Sequence, residues 1–272
     1  MIQLFVITLL RTYVPYGIML ASSSMKEDQM AYDFKKEYKS LYLPKHKPSI
    51  IEVPAMTFVA VAGEGDPNEG SGAYQIALNL PYSFSYTVKM SKKGDWQPDG
   101  YFDFVVPPLE GFWWSEVGVF DGSHVGDKSA FRWVSLIRQP DFVTLEDFER
   151  ICQMMMQKKP ELVGEIESGK LRLIRFSEGL CAQVMHKGAY DDEPATIADL
   201  AEFIECQGLQ SDIASADGLE PEAVLDALDC AGNVPTIRLH HEIYLGDPRR
   251  TKPESLKTVI RQPVIAMFEE GD

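Results

Sequence analysis

The sequence predicts an α+β fold in which a strand–helix–strand–strand (β-α-β-β) module is duplicated, with pseudo-twofold symmetry and a central ligand cleft between the copies. Two segments, Pro48–Tyr86 and Leu171–Leu209, share one order: a strand-like run, a turn, and a run with apolar residues at helical spacing. Two more strand-like runs follow each segment, beginning at Tyr101 and Ala130 in the first copy and at Thr236 and Ser255 in the second. The helix of one unit cannot cover both faces of its small sheet. We therefore expect the two units to pair, so that each buries the apolar sheet surface that the other leaves exposed.

The elements of each copy follow from local sequence. In the first copy, the β-former-rich run SIIEVPAMTFVAVAGEG turns through DPNEGSG into the apolar-periodic run AYQIALNLPYSFSYTVKM. In the second, LRLIRFSEGLCAQVMHKG leads into a helix on which Ile197, Leu200 and Ile204 share one face. Asp191 and Asp192 offer that helix capping oxygens, and Pro194 fits its first turn.

A linker helix is predicted between the copies, over residues 144–158. Thr144 and Asp147 suit a capping pair, and Phe148, Ile151 and Met155 have helical spacing. The methionine run 154–156 suits either core filling or an adaptable binding surface.

The chain divides into three parts by composition. Residues 1–29 are predicted to be an N-terminal extension outside the fold, because Arg11 and Pro15 interrupt their apolar run; a leader or membrane anchor is the alternative. Residues 30–264 form the domain, with repeat one at about 48–140 and repeat two at about 171–264, and residues 265–272 are a C-terminal tail.

Charge and cysteine usage exclude several classes of protein. A formal charge of −15 argues against a nucleic-acid partner, since phosphate binding needs clustered Lys and Arg. The four cysteines stand far apart with no C-x-x-C pair, which predicts free thiols in a reducing compartment and a cytoplasmic location, with no membrane association. Neighbouring His240 and His241 point to opposite faces of a strand, so we expect no metal, and no cofactor motif occurs.

One late strand carries polar residues in alternation. From Thr236 to Leu245, the residues at even positions, including His240, Glu242 and Tyr244, share one face, while apolar residues occupy most of the other. That polar face suits either open solvent or the wall of a pocket.

Two stretches, LCAQVMHKGAYDDEPATIADLAEFIECQGL and LHHEIYLGDPRRTKPESLKTVIRQPV, resemble the GyrI-like small-molecule-binding family, and most closely its stand-alone members, which resemble cyclopropanoid hydrolases. The likeness covers roughly 38–264. It implies a duplicated module (an SHS2-like repeat) around one cleft, with aromatic walls and a buried carboxylate that Glu242 matches. Residues 210–233 depart from the family pattern as an acidic insertion.

The resemblance and the residues together suggest roles for a candidate site. Glu242 would be the catalytic base for water, and the Tyr190 hydroxyl would donate to a developing oxyanion; the alternatives are a solvated carboxylate and a packing residue. The expected ligand-binding residues are Trp133, Trp114, Trp113, Phe131, His240 and Tyr244. The tryptophans suit stacking of a planar ligand or simple core packing, and only one of Trp113 and Trp114 can face the cleft.

The function that this interpretation favours is hydrolysis of planar, hydrophobic electrophiles such as cyclopropane-bearing toxins, without a cofactor. The partners would be hydrophobic aromatic small molecules. The alternative is a non-catalytic binding or sequestering module for hydrophobic or cationic drugs, or a gyrase-inhibitor-like module that binds a protein.

Overall fold

In the part of the chain that the computed structural model describes (residues 30–70, 72–115, 119–123, 128–216 and 218–267), nine antiparallel strands form one sheet. Two short strands, β1 (Tyr32–Asp33) and β4 (Phe104–Val105), pair in parallel outside it. The strands of the sheet are β2 (Ser49–Val53), β3 (Met56–Glu64), β5 (Leu109–Ser115), β6 (Phe131–Arg138), β7 (Arg172–Phe176), β8 (Gly179–Lys187), β9 (Leu209–Ser211), β10 (His240–Tyr244) and β11 (Lys257–Ala266). The fold is therefore mixed α+β with a large antiparallel sheet.

The helices are α1 (Phe34–Glu37), α2 (Lys39–Tyr42), α3 (Ala73–Ala77), α4 (Asn79–Met90), α5 (Leu145–Lys158), α6 (Val163–Glu167), α7 (Glu193–Cys206) and α8 (Pro221–Leu228). The helix predicted over 144–158 is present as α5, and Thr144 and Asp147 form its capping box. In the methionine run, Met155 is buried while its two neighbours are half-buried.

Two local predictions about helices need correction. The first-copy helix is divided at Leu78 into α3 and α4, because Pro81 lacks the N–H that would continue the hydrogen-bond ladder into the first turn of α4. Asp192 occupies the position before α7, but its side chain makes no capping hydrogen bond, and a single 3₁₀ turn (Tyr190–Asp192) leads into the helix. Pro194 lies in the first turn, as predicted.

From the central pair of β10 and β5, the strands follow outward as β11, β8 and β2 on one side and as β6, β3 and β7 on the other. The sheet runs β2-β8-β11-β10-β5-β6-β3-β7, with β9 paired to β11. Each strand-like run at the start of a copy forms two strands rather than one. Pro54 follows β2 and interrupts the first run, and Gly179, with a positive φ of 66°, begins β8 in the second. The outer strand of each half comes from the other half of the chain, because β2 pairs with β8 and β7 pairs with β3.

The strand register divides the sheet into two faces, since paired residues of neighbouring strands point the same way. Glu242 pairs with Gly111 of β5 and Ile260 of β11, and these residues define what we call the carboxylate face. Helices α3 and α7 cover this face, α3 through Tyr74 and α7 through the apolar cluster of Ile197, Leu200 and Ile204 with Ala182, Val184 and Ile260.

The opposite face is covered by α1, α2 and the segment of the acidic insertion. The Tyr42 hydroxyl of α2 donates to Glu110, which points to this face from β5. Arg132 donates to the carbonyl oxygen of Leu219, just before α8. The described residues of the insertion therefore pack away from Glu242 and do not cover it.

Strand β10 is shorter than the sequence pattern suggests. It begins at His240 rather than Thr236, because the preceding backbone bonds elsewhere: the amide of Ala214 donates to the carbonyl oxygen of Arg238. The Arg238 guanidinium also donates to the carbonyl oxygen of Glu178. Alternation is confirmed from His240 to Tyr244.

The predicted extension 1–29 and most of the predicted tail, 268–272, lie outside the described residues. None of the helices in the described ranges is both long and apolar enough to cross a membrane.

Candidate functional site

Glu242 lies at the centre of the carboxylate face, on the strand where the two halves of the sheet meet. Its side chain is only 13% exposed. The register places Trp113, Trp133 and Ser135 on the same face as Glu242 across β5 and β6. A strand carboxylate in this position lines a partly enclosed site rather than open solvent.

A chain of hydrogen bonds holds the Glu242 carboxylate from both sides. The Trp113 Nε1–H donates to the Tyr244 hydroxyl oxygen at 2.7 Å, and that hydroxyl donates to Glu242 Oε2 at 2.7 Å. On the other side, His240 Nε2 lies 3.1 Å from Glu242 Oε1. Each carboxylate oxygen therefore has its own donor.

The chemistry of these groups shows which of them donate and which accept. An indole nitrogen can only donate, so the Tyr244 oxygen accepts from Trp113 and turns its own proton toward Glu242. Burial, the charge on Glu242 and the neighbouring Tyr74 raise the pKa of Tyr244 well above its usual value, so the phenol keeps that proton. His240 Nδ1 is buried without a partner, which suits a neutral ring that carries its proton on Nε2. Both oxygens of Glu242 are thus placed to accept hydrogen bonds.

Aromatic rings enclose the carboxylate. Tyr74 of α3 packs on Trp113 and Trp133 with ring centroids 5.5 and 4.9 Å apart. Tyr190 lies edge-on to Tyr244 at 5.7 Å. Phe131 contacts Trp113 at 5.9 Å. Burial, and to a lesser extent the charges of Glu193 and Glu242, raise the pKa of Tyr190 to about 12. The Tyr190 hydroxyl therefore remains a hydrogen-bond donor.

Two glycines make room for the indoles. A Cβ at Gly63 would lie 2.5 Å from the Trp133 ring, and one at Gly111 would lie 2.8 Å from Trp113 Nε1. The Trp133 indole of β6 lies over Gly63 of the neighbouring strand β3, and the Trp113 indole lies along its own strand, over Gly111. The orientation of both tryptophans therefore depends on glycine at these positions.

The structure adds Glu193, which the sequence interpretation did not place in the site. Glu193 begins α7, is 4% exposed, and has one carboxyl oxygen, Oε1, without a hydrogen-bond partner. Burial and the adjacent Glu242 charge raise the pKa of Glu193 well above its usual value. Glu193 lies in the first of the two stretches that carry the family resemblance, but a glutamate before proline at a helix start has a sufficient local explanation, so the sequence interpretation gave it no role in the site.

The residues named from the sequence do not all come together. Those that share the site with Glu242 are His240, Tyr244, Trp113, Trp133, Phe131 and Tyr190. Trp114 does not, because it alternates with Trp113 and points to the opposite face, where it is 1% exposed. Trp114 is therefore a core residue. The name Glu242 site is used below for Glu242, Glu193, His240, Tyr244, Tyr190, Tyr74, Trp113, Trp133 and Phe131.

The tryptophans that could stack a planar ligand are covered in this structure. Trp133 is 1% exposed and Trp113 is 6% exposed, with the Tyr74 ring packed on both. The side chains that reach the surface at the Glu242 site are Tyr190, Tyr244 and, slightly, Glu242 itself. A surface groove of about 540 Å³ between α4 and α5 is built from other residues.

A second set of charged groups is buried beneath the opposite face. Glu178 accepts from Arg261 at 2.7 Å and contacts His241 Nδ1 at 2.9 Å, while Glu110 Oε2 lies 3.3 Å from His241 Nε2. All four side chains are at most 7% exposed. We call them the Glu178 cluster. Within the described ranges, no group of three or more His, Cys, Asp or Glu residues could hold a metal ion.

Of the comparisons with known proteins, the one with solved structures found matches. No protein-family model and no curated protein matches the chain. The chain is similar to a hydrolase from Listeria innocua, with 42% identity over 86% of this chain and 100% of that chain and a TM-score of 0.69. It is also similar to an uncharacterized conserved protein from Listeria innocua, with 44% identity, the same coverage and a TM-score of 0.71. The C-terminal domain of EcmrR aligns at 11% identity over 81% of this chain and 98% of that domain, with a TM-score of 0.41, a likeness too low to bear on function.

Proposed function

This chain belongs to the same protein family as the two Listeria innocua proteins, and from that premise we propose that it is a GyrI-like small-molecule-binding protein that hydrolyses planar, hydrophobic electrophiles, cyclopropane-bearing toxins among them. The relative described as a hydrolase supports the class of reaction. The observation that carries the proposal is the Glu242 carboxylate, held by two donors among aromatic rings.

The proposed reaction uses Glu242 as the general base. Glu242 takes a proton from water while the water oxygen bonds to the methylene carbon of a cyclopropane conjugated with a carbonyl group. The ring C–C bond breaks, and its electron pair moves onto the carbonyl oxygen, which then takes a proton from solvent. Glu242 returns its own proton to solvent, so atoms and charge balance.

The surrounding residues have supporting roles in this scheme. Tyr190 keeps its phenolic proton and can donate a hydrogen bond to the oxygen on which charge develops. His240 and Tyr244 hold the carboxylate in one orientation. Trp113, Trp133 and Phe131 present apolar area to a planar ligand, which would enter by displacing part of the present packing.

A duplicated module with pseudo-twofold symmetry is part of the same proposal. Its support is the strand order outward from the contact between β5 and β10. Each side has the last two strands of one copy, then a strand from the first run of that copy, and then an outer strand from the other copy. The Glu242 site then lies where the two halves meet, a common place for ligand sites.

A non-catalytic binder of cationic drugs is the second candidate. One ionised carboxylate among aromatic faces is also what an organic cation would contact, through the charge and through cation–π attraction. The two functions differ in what Glu242 does: it accepts a proton in the first and only attracts charge in the second.

Glu242→Gln separates the two candidates, because it keeps the size of the side chain and removes proton acceptance. With a cyclopropane-containing alkylator as substrate and product masses as readout, we expect turnover to fall by roughly 10² to 10⁴ while affinity for a neutral ligand stays similar. The matched control is Glu202→Gln, an exposed glutamate of α7.

Full hydrolysis by Glu242→Gln would remove Glu242 from the role of base. A selective loss of affinity for cationic ligands, with no hydrolysis by either protein, would favour the binder. Tyr190 is the next residue to change in the first case.

A further inference from the structure

We propose that Glu193 is a carboxylic acid in the working protein and that, as a positioning residue, its retained proton keeps the Glu193–Glu242 pair at a single negative charge. The catalytic consequence rests on the proposed function. The protonation itself does not, and it can be tested without any substrate.

The position of Glu193 makes an ionised side chain costly. It is the first residue of a 14-residue helix that lies on the carboxylate face, its side chain is 4% exposed, and its Oε1 has no hydrogen-bond partner. A buried carboxylate needs donors or an opposite charge, and a neutral acid needs far less. The neighbouring carboxylate of Glu242 adds repulsion to the cost of burial.

The groups that face Glu193 from the surrounding elements supply no compensating positive charge. They are Glu242 and Tyr244 of β10, Thr258 of β11, and Tyr190 and Asp191 of the turn before α7. The Lys128 ammonium, which lies near this turn, is bound to Asp191 at 2.9 Å. The N-terminus of α7 favours an ionised side chain by itself, but burial and the Glu242 charge outweigh it and raise the pKa of Glu193.

Hydrogen bonding decides which member of the pair holds the proton. Both oxygens of Glu242 already accept, from His240 and from Tyr244, and these donors stabilise the ionised form. Glu193 Oε1 has no such donor, and the Thr258 hydroxyl, which favours the ionised form of Glu193, is outweighed by burial and by the Glu242 charge. The proton therefore belongs to Glu193, and two like carboxyl groups have different charge states because their donors differ.

This assignment predicts a distinct pH dependence. As pH rises and Glu193 ionises, a second negative charge appears beside Glu242, so stability and hydrolysis both decline. The sign follows from the raised pKa: the contribution of Glu193 to stability is complete in acid, below its unfolded pKa, and is lost as pH rises through the folded pKa. Glu193→Gln mimics the neutral acid and cannot ionise.

The direct test is infrared spectroscopy of the full chain at neutral pH, in H₂O and D₂O. We expect a carbonyl band of a neutral carboxylic acid that shifts in D₂O in the wild type, is absent from Glu193→Gln, and persists in the control Glu202→Gln. We also expect the melting temperature of Glu193→Gln to match that of the wild type at pH 5 and to exceed it by several degrees at pH 9.

Activity provides the readout that a purely structural role would not change. We expect Glu193→Ala to lose at least about tenfold in kcat/KM, and Glu193→Gln to recover most of that loss and to lack the alkaline decline of the wild type.

The outcomes separate this proposal from the proposed function. A wild-type spectrum identical to that of Glu193→Gln would overturn the assignment whatever the activity. So would an unchanged alkaline decline in Glu193→Gln. A neutral-acid band that Glu193→Gln lacks, together with no hydrolysis by any variant, would support the assignment and overturn the proposed function alone.

Discussion

The Trp113 indole N–H of β5 donates to the Tyr244 hydroxyl of β10 at 2.7 Å, so one hydrogen bond joins the two central strands and also orients the Tyr244 proton toward Glu242. Tyr244→Phe removes both bonds and leaves the Trp113 donor without its acceptor in a residue that is 6% exposed. Because an unsatisfied buried donor costs about 1 to 3 kcal/mol, we expect the free energy of unfolding to fall by that amount in denaturant titrations.

The control for this change is Tyr86→Phe. Tyr86 lies on α4 and is 53% exposed, so removing its hydroxyl should change stability by less than about 0.5 kcal/mol. If Tyr244→Phe were as stable as Tyr86→Phe, the Trp113–Tyr244 hydrogen bond would make no net contribution to stability, and this prediction would be wrong.

The Glu178 cluster predicts how stability depends on pH. Burial alone would raise the pKa of Glu178, but the charges of His241 and Arg261 outweigh it and lower that pKa from 4.5 to about 2. Burial alone would lower the pKa of His241, but Glu178 and Glu110 outweigh it and raise that pKa from 6.5 to about 8. The Glu178 contribution is present above pH 4.5 and is lost as pH falls toward 2, whereas the His241 contribution is present below pH 6.5 and is lost as pH rises through 8.

The expected result is a maximum of stability in mildly acidic solution. Between pH 6.5 and pH 9, His241 should lower the free energy of unfolding by about 2 kcal/mol. The measurement is the free energy of unfolding against pH, whose slope is compared between the wild type and His241→Gln. Glu193 adds to the alkaline decline of both proteins equally, so the difference isolates His241. Equal slopes would show that folding leaves the pKa of His241 unchanged and would contradict this prediction.

The class of the fold could be predicted because it depends on short residue patterns that recur along the chain. Alternation on β10, the capping box of α5 and the apolar stripe of α7 each depend on a few neighbouring residues. The start of β10 was misjudged since the carbonyl of Arg238 bonds to Ala214, a partner that the local pattern does not show.

The site was harder to predict, since its members meet through strand register. Choosing between Trp113 and Trp114 requires knowing that Glu242 pairs with Gly111, two residues from Trp113, and this pairing is set by the whole sheet. Glu193 was missed for a related reason. Its local pattern describes a helix start, and only the packing of α7 brings it beside Glu242.

Gly63 provides a test of how tightly the Trp133 indole is held. A Cβ at this position would lie 2.5 Å from the ring, which is closer than real contacts allow, and the indole is 1% exposed, so it cannot move without disturbing Tyr74. Since overpacking of a buried site costs about 1 to 3 kcal/mol, we expect Gly63→Ala to lower the free energy of unfolding by that amount and to shift the tryptophan emission.

The matched substitution is Gly164→Ala. Gly164 lies in α6 with no atom within 4 Å of the added Cβ, so alanine there should leave emission unchanged and stabilise the helix by up to about 1 kcal/mol. If Gly63→Ala retained wild-type stability and emission, the Trp133 indole would have room to shift at little cost. The closed packing around Trp133 would then open easily to a planar ligand, and Gly63 would not be what fixes the ring.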